Sequence, residues 1–251
     1  MQNACIKLKN NSVVYISNNS ESISLRNIYK KNFKILFNSW SKKLETIIKS
    51  NAFNLVVSDN LCTPLSFHDN CVLLGSFLWH DVVKKTLDNN TVLESEKVLF
   101  RNSSPTIFAM EGFVMPEISK YGNVIEYPSL LKTQNSFVTN FSSPYSILIT
   151  FGRSGDLSDR YKVIIENLYD MEDFQFYYDS SYSDSTHGNT FDFSENSFSK
   201  LSLIITRPGI GIISDSIKYK IPLIVDSFYS NKEIEFNAQK IEELGIGKRL
   251  D

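Results

Sequence analysis

The sequence predicts an α/β protein made of two βα-type halves, and three observations predict it. Short apolar runs of strand length alternate with longer amphipathic segments. The alternation lapses over residues 102–143, which carry Pro105, Pro116 and Pro128 among short extended runs and polar turns, and restarts after Pro144. The chain has 251 residues, 42% of them hydrophobic, enough to build two modest cores. The boundary is expected within 132–144, which divides the chain into an N-terminal domain of residues 1–137 and a C-terminal domain of residues 138–251.

In chain order, Val13–Ser17 reads as a strand. Trp40–Ser50 gathers Leu44, Ile47 and Ile48 on one side and reads as a helix. Leu55–Asp59 is a buried strand ending in a carboxylate, and Cys71–Ser76 is another. Asp81–Leu99 reads as mostly helix, interrupted at Asn89-Asn90. In the second half Ile147–Phe151 is a strand, followed by a glycine turn, Gly152-Arg153-Ser154-Gly155. Leu157–Leu168 is a helix, Phe174–Tyr178 a strand, 179–190 a polar loop and Glu195–Lys200 a short helix. Leu203–Thr206 is a strand leading to a second glycine turn, Gly209-Ile210-Gly211. Ile212–Tyr219 is a helix and Pro222–Val225 a strand. Lys232–Leu244 is a helix closed by Gly245, a residue suited to a left-handed cap.

Composition narrows the function. A formal net charge of −2 supplies no cationic field, which argues against nucleic acid as a partner. The three cysteines, Cys5, Cys62 and Cys71, are odd in number and lack C-x-x-C spacing, so they read as thiols of a reducing compartment. No secretory leader opens the sequence, and no stretch approaches the roughly 18 apolar residues of a membrane span. A cytoplasmic location is therefore expected. His68, His80 and His187 show no H-x-H or H-x-x-x-H spacing, so no metal site is expected. No G-x-S-x-G elbow supports a hydrolase triad.

A strand that runs through a glycine turn into a helix makes an anion site. Glycine lets a ligand approach the main chain, and the first helical turn presents unpaired N–H groups. Four of the ten glycines lie in the turns at 152–155 and 209–211. Neither turn is G-x-G-x-x-G or a Walker loop, and either one alone could simply tighten a βα connection. Paired in one half, with Asp215 about one helical turn beyond the second, they point to a nucleotide diphosphate with a carboxylate on its ribose. Arg207 either faces phosphate or pairs with a neighbouring carboxylate.

At these residues the sequence resembles the C-terminal half of GT-B glycosyltransferases, above all the group around the bacterial peptidoglycan UDP-N-acetylglucosamine transferase. Phe151–Gly155 is similar to that family's G-G-S-x-G loop, with Phe151 in place of the first glycine. Leu203–Asp215 is similar to the strand, glycine loop and helix that end in the acidic residue holding the donor ribose. Within it, Ile212 stands where Thr is common and Asp215 where Glu is usual. Ile221–Val225, Asn231–Ala238 and Glu242–Gly245 resemble the strand and helix that carry donor-sugar contacts, although Ile234 stands at a Gln position.

The resemblance implies a GT-B-like fold, two Rossmann-like domains facing a cleft. It places Gly152, Arg153, Ser154 and Gly155 on the diphosphate or the cleft, and the main chain near Phe191 on the base. Gly209, Ile210 and Gly211 would approach the α-phosphate, Asp215 the ribose, and Glu233 the sugar. In the first half, Asn54–Asp59 and Leu73–Asp81 resemble a DLVVSD … NFTWD pattern of the same class. The opening strand and Gly-x-Gly-His-type loop of such proteins, and a last helix after Gly247, have no counterpart. The chain therefore reads as a fragment or a reduced member.

The implied activity is transfer of a sugar, N-acetylglucosamine-type or another hexose, from a UDP-sugar to an acceptor hydroxyl. It needs neither cofactor nor metal, because a helix N-terminus and glycine-loop amides stabilise the leaving diphosphate. His80, beside Trp79 at a strand end, and Asp59, ending a strand, are the candidate bases. The bland alternatives are a helix-start histidine and a turn or N-cap aspartate. The implied partners are a nucleotide sugar and an acceptor that is a glycan, a lipid-linked group or a small molecule. Peripheral membrane contact and a partner subunit stay open. Two other functions also stay open: a nucleotide-sugar hydrolase or epimerase, and a non-catalytic nucleotide-sugar-binding protein.

Overall fold

A computed structural model describes residues 33–51, 53–127, 144–151, 166–167, 171–179, 189–227 and 231–250. The Val13–Ser17 strand, the glycine turn 152–155, and most of both the 157–168 helix and the 179–190 loop lie outside the described residues.

The strands form two sheets, and every pairing is parallel. The first sheet runs in order β1 (Val56–Asp59), β2 (Cys71–Leu74), β3 (Thr106–Met110), β4 (Asn123–Tyr127). The second contains β5 (Tyr145–Thr150), β6 (Phe174–Tyr178), β7 (Asn189–Thr190), β8 (Leu203–Thr206), β9 (Leu223–Asp226) and β10 (Gly247–Leu250), in the spatial order β10-β9-β8-β5-β6-β7. Parallel neighbours cannot be joined by hairpins, so crossover segments connect them.

Helix α1 (Phe33–Ser50) begins well ahead of Trp40, because Phe33 and Phe37 extend the buried stripe of Leu44 and Ile48. The helix expected over 81–99 is two helices, α2 (Trp79–Val82) and α3 (Asn90–Ser103). Asn89 makes the break. Its fully buried side chain accepts from Thr86 N at 2.8 Å and donates to Lys84 O at 3.2 Å, which holds the chain in a turn. Next come α4 (Pro116–Tyr121), the short α5 (Glu195–Phe198), α6 (Ile210–Tyr219) and α7 (Lys232–Glu243). Gly245, at φ +68°, closes α7, with Ile246 N bonded to Ile241 O at 3.1 Å. Strand β10 was not expected from the sequence. It lies against β9, where a Cβ on residue 247 would come within 2.4 Å of Leu223 O, so only glycine fits.

Leu73, Leu78, Phe100, Ile107 and Ile118 centre the first core. Leu148, Ile204, Ile213, Leu223, Val225 and Ile241 centre the second. The halves meet through side chains. Met110 and Phe113 pack into the second core, and Phe236 of α7 packs against the cluster of Phe33, Phe37 and Phe77. No helix among the described residues is long and apolar enough to cross a membrane.

Candidate functional site

The second sheet has a switch point. The chain builds outward from β5 through β6 to β7, then returns to the other side of β5 and builds β8, β9 and β10. Adjacent strands β5 and β8 therefore feed loops in opposite directions and open a crevice at their carboxyl ends, the usual ligand position in parallel α/β sheets. Thr150 and Thr206 are register partners at that edge. The turn at Gly209–Gly211 follows Thr206, and in the sequence Gly152–Gly155 comes soon after Thr150.

The turn after β8 enters α6 at Gly209, which has extended backbone and no side-chain cap. The first N–H groups of α6 thus lack intrahelical acceptors and point out of the helix end. A glycine needed for turn geometry shows positive φ or a clashing Cβ. Gly209 and Gly211 show neither: Gly209 has φ −83°, Gly211 is absent from the positive-φ residues, and a Cβ on either meets nothing within 4 Å. Their main chain is bare and open to the approach of a ligand. Ile210, between them, is half-buried against the second core.

The neighbouring elements supply side chains at the same edge. Asn237 of α7, buried, donates to Pro208 O at 2.9 Å and ties that helix to the turn. Glu233, in the first turn of α7, is buried, and burial pushes its carboxyl up to about 7 against the opposing pull of Arg207. Its N–H is capped by Asn231 Oδ1 at 2.9 Å. Asp215, half-buried on α6, has its carboxyl raised by burial and pulled back by Lys218. Phe191 is a core residue whose N–H is taken by Tyr178 O at 2.8 Å. Two residues on, Phe193 is 43% exposed at φ 55°, with its ring centroid 5.1 Å from that of Phe191. Because β7 is parallel to β6, Phe193 leaves on the same edge as the glycine turn after β8.

Gly209, Ile210, Gly211, Arg207, Asp215 and Glu233 thus share the carboxyl edge of one sheet, while Gly152, Arg153, Ser154 and Gly155 lie outside the described residues. Asn237 and Phe193 lie in segments that carry the resemblance, but neither was assigned a role from the sequence. The bond of Asn237 is to a residue of another element, and exposure at Phe193 is a tertiary property.

The carboxyl ends of the first sheet face this edge. Ser214 Oγ donates to Met110 Sδ across the seam at 3.4 Å. Asp59 ends β1 exposed, taking Asn60 Nδ2 at 3.1 Å. The Asn60 side chain lies over Gly75, where a Cβ would come within 1.6 Å of Asn60 Oδ1. His80, in α2, is enclosed, and burial lowers its imidazole to about 4. Of the two candidate bases, only Asp59 is open to an acceptor. A separate cavity of about 250 Å³ lies between α1, the turn at Thr63–Ser66 and α3. It shares no residue with the glycine turns.

Two Rossmann-like domains with parallel sheets facing a cleft define the GT-B fold, and solved structures agree. No protein-family model matches the chain, and no curated protein does. Arabidopsis thaliana UGT89C1, complexed with UDP-L-rhamnose, superposes with a TM-score of 0.60 at 10% identity, over 94% of this chain and 67% of that one. The calicheamicin glycosyltransferase CalG4 gives 0.55 at 11% identity, over 90% of this chain and 70% of that one. The glycotransferase of kitacinnamycin gives 0.55 at 10%, over 86% and 69%. At these identities the likeness establishes the fold alone, and it does not single out the peptidoglycan group.

Proposed function

We propose that this chain is a GT-B glycosyltransferase that moves a hexose, N-acetylglucosamine-type or related, from a UDP-sugar to an acceptor hydroxyl. The observation that carries the reading is the switch point between β5 and β8, where the turn after β8 leaves Gly209 and Gly211 bare with no packing reason to be glycine. In this reading the diphosphate sits on the uncapped N-terminus of α6, and the sequence resemblance assigns Gly152, Arg153, Ser154 and Gly155 to the same ligand. Asp215 takes the ribose, the Phe191–Phe193 segment the base, and Arg207 and Glu233 the phosphate–sugar end. The acceptor oxygen attacks the anomeric carbon as its proton passes to Asp59, the bond from that carbon to the diphosphate oxygen breaks, and UDP departs. Main-chain amides and the helix dipole stabilise the developing charge, so no metal is needed at the diphosphate. Free, buried Cys62 and Cys71 suit a cytoplasmic setting.

Calorimetric titration of the purified chain with UDP, followed by product analysis with UDP-hexoses and an acceptor panel, tests this. UDP binding with acceptor-dependent release of UDP supports transfer. Free sugar without acceptor means hydrolysis, a changed epimer means epimerisation, and binding without turnover means a non-catalytic protein. No binding of any nucleotide overturns the donor site.

A further inference from the structure

One cluster of side chains takes no part in the donor site. His80 and Asp81 of α2 and Glu117, in the first turn of α4, bring ligand-type atoms all within 4.8 Å of one another. The His80 side chain is 1% exposed, and neither of its ring nitrogens has a hydrogen-bond partner. Asp81 Oδ2 is also buried without one. Buried polar atoms are nearly always hydrogen-bonded, so one imidazole nitrogen and Asp81 Oδ2, both unpartnered beside the Glu117 carboxylate, suit a ligand that accepts lone pairs.

The surroundings shape that ligand. His80 Nε2 lies 3.7 Å from Asp81 Oδ1, with the imidazole enclosed and the carboxylate partly open. Glu94, Lys97 and Arg101 of α3 and Lys232 of α7 are the other charges acting on the pair. Arg101 donates to Glu117 through Nε, at 2.9 Å, and through a terminal nitrogen, both to the single oxygen Oε1. It therefore anchors the carboxylate as an outer partner without wrapping both oxygens, as carboxylate ligands of metals are commonly held.

We propose that His80, Asp81 and Glu117 form a site for one divalent cation of the zinc class, clipping α2 to α4 within the N-terminal half. One imidazole nitrogen and two carboxylate oxygens make a borderline donor set that suits Zn²⁺, and three protein ligands leave a fourth position open. Exposure falls on the carboxylates, 20% for Asp81 and 21% for Glu117, so the open position lies on their side. The site uses no residue of the glycine turns and stands whether or not the donor reading does. Histidine spacing in the sequence argued against zinc, but two of these ligands are sequence neighbours and the third comes from another element.

Zn²⁺ titrated calorimetrically into the metal-free full chain, with Co²⁺ as spectroscopic probe, decides the matter. The expected result is one ion per chain and visible Co²⁺ bands without a thiolate charge-transfer band. His80→Asn and, separately, Glu117→Gln each weaken Zn²⁺ binding by about tenfold or more, while Cys62→Ser leaves it unchanged. The metal-free melting curve of Glu117→Gln stays close to the parent's, so that variant decides alone if His80→Asn does not fold. Absence of saturable binding, undiminished affinity in Glu117→Gln, or a thiolate band overturns the site.

Discussion

The two sheets follow one pattern but are buried to different depths. In the C-terminal sheet Ile147–Thr150 of β5, Ile204–Thr206 of β8, and Leu223 and Val225 of β9 are all buried. In the N-terminal sheet Val57, Leu74 and Ile125 are 53%, 42% and 43% exposed. The register sets Asp59, Leu74, Phe108 and Ile125 in one row across β1 to β4, so these side chains share a face. Parallel sheets are ordinarily covered on both faces. Among the described residues the central strands β5, β8 and β9 of the C-terminal sheet meet that rule and the N-terminal sheet does not. The glycine turn and its supporting side chains thus stand beside well-buried central strands, whereas Asp59 stands on a strand that, among the described residues, lies at the edge of its sheet with one face open. On the proposed reading, nucleotide binding and turnover are separable for that reason, and variants in the two halves should behave differently.

The sharpest contrast is in the cores. Leu148→Ala should cost about 2–5 kcal/mol in urea unfolding, whereas Val57→Ala, on the open face, should cost under about 1 kcal/mol. Equal costs would erase the distinction between the sheets. Second in size is a pH effect at Glu233. Its carboxyl is raised from 4.5 to about 7, so the folded state favours the protonated form. The stability this proton confers is full below about pH 4.5 and is lost as pH rises through 7, a penalty of at most about 3 kcal/mol. Glu233→Gln should accordingly be more stable than the parent at pH 8 and show little advantage at pH 5. An identical pH profile in thermal melts would show that the carboxyl is not held high. A smaller effect is expected from Asn237→Ala, which strips the buried Pro208 carbonyl of its donor. The loss is about 1–3 kcal/mol, with weaker UDP binding by calorimetry because the turn loosens. The smallest stability change is at Gly211. Gly211→Ala has open space for its methyl and should be neutral or stabilising by up to about 1 kcal/mol, yet weaken UDP binding. Unchanged affinity would mean that no ligand approaches this turn.

Much of the fold was legible because its signals are local. Apolar runs marked β1, β2, β5, β6, β8 and β9 within a residue or two, and the amphipathic stripe marked α7 through to Gly245. The misses were non-local. The interruption at Asn89-Asn90 was expected, but the length of the break, back to Val83, was not, and it depends on an asparagine fully buried by its neighbours. Strand β10 is short and half polar, Gly-Lys-Arg-Leu, and exists because β9 offers a parallel edge. For the site, the identity of Gly209 and Gly211 was readable, but whether they served a turn or a ligand was not. That distinction rests on φ angles and on the space around them.

By itself the sequence determined the α/β class, two halves, and the second glycine turn with Arg207, Asp215 and Glu233 near it in the chain. These follow from residue periodicity and from glycine's lack of a Cβ, both properties of short segments. Only the tertiary structure decided that β5 and β8 are neighbours at a switch point, that the carboxyl ends of the two sheets face each other, and that Glu117 joins His80 and Asp81. Strand order and the meeting of distant side chains depend on which packing buries the most apolar surface while pairing every ladder. No local pattern encodes that choice.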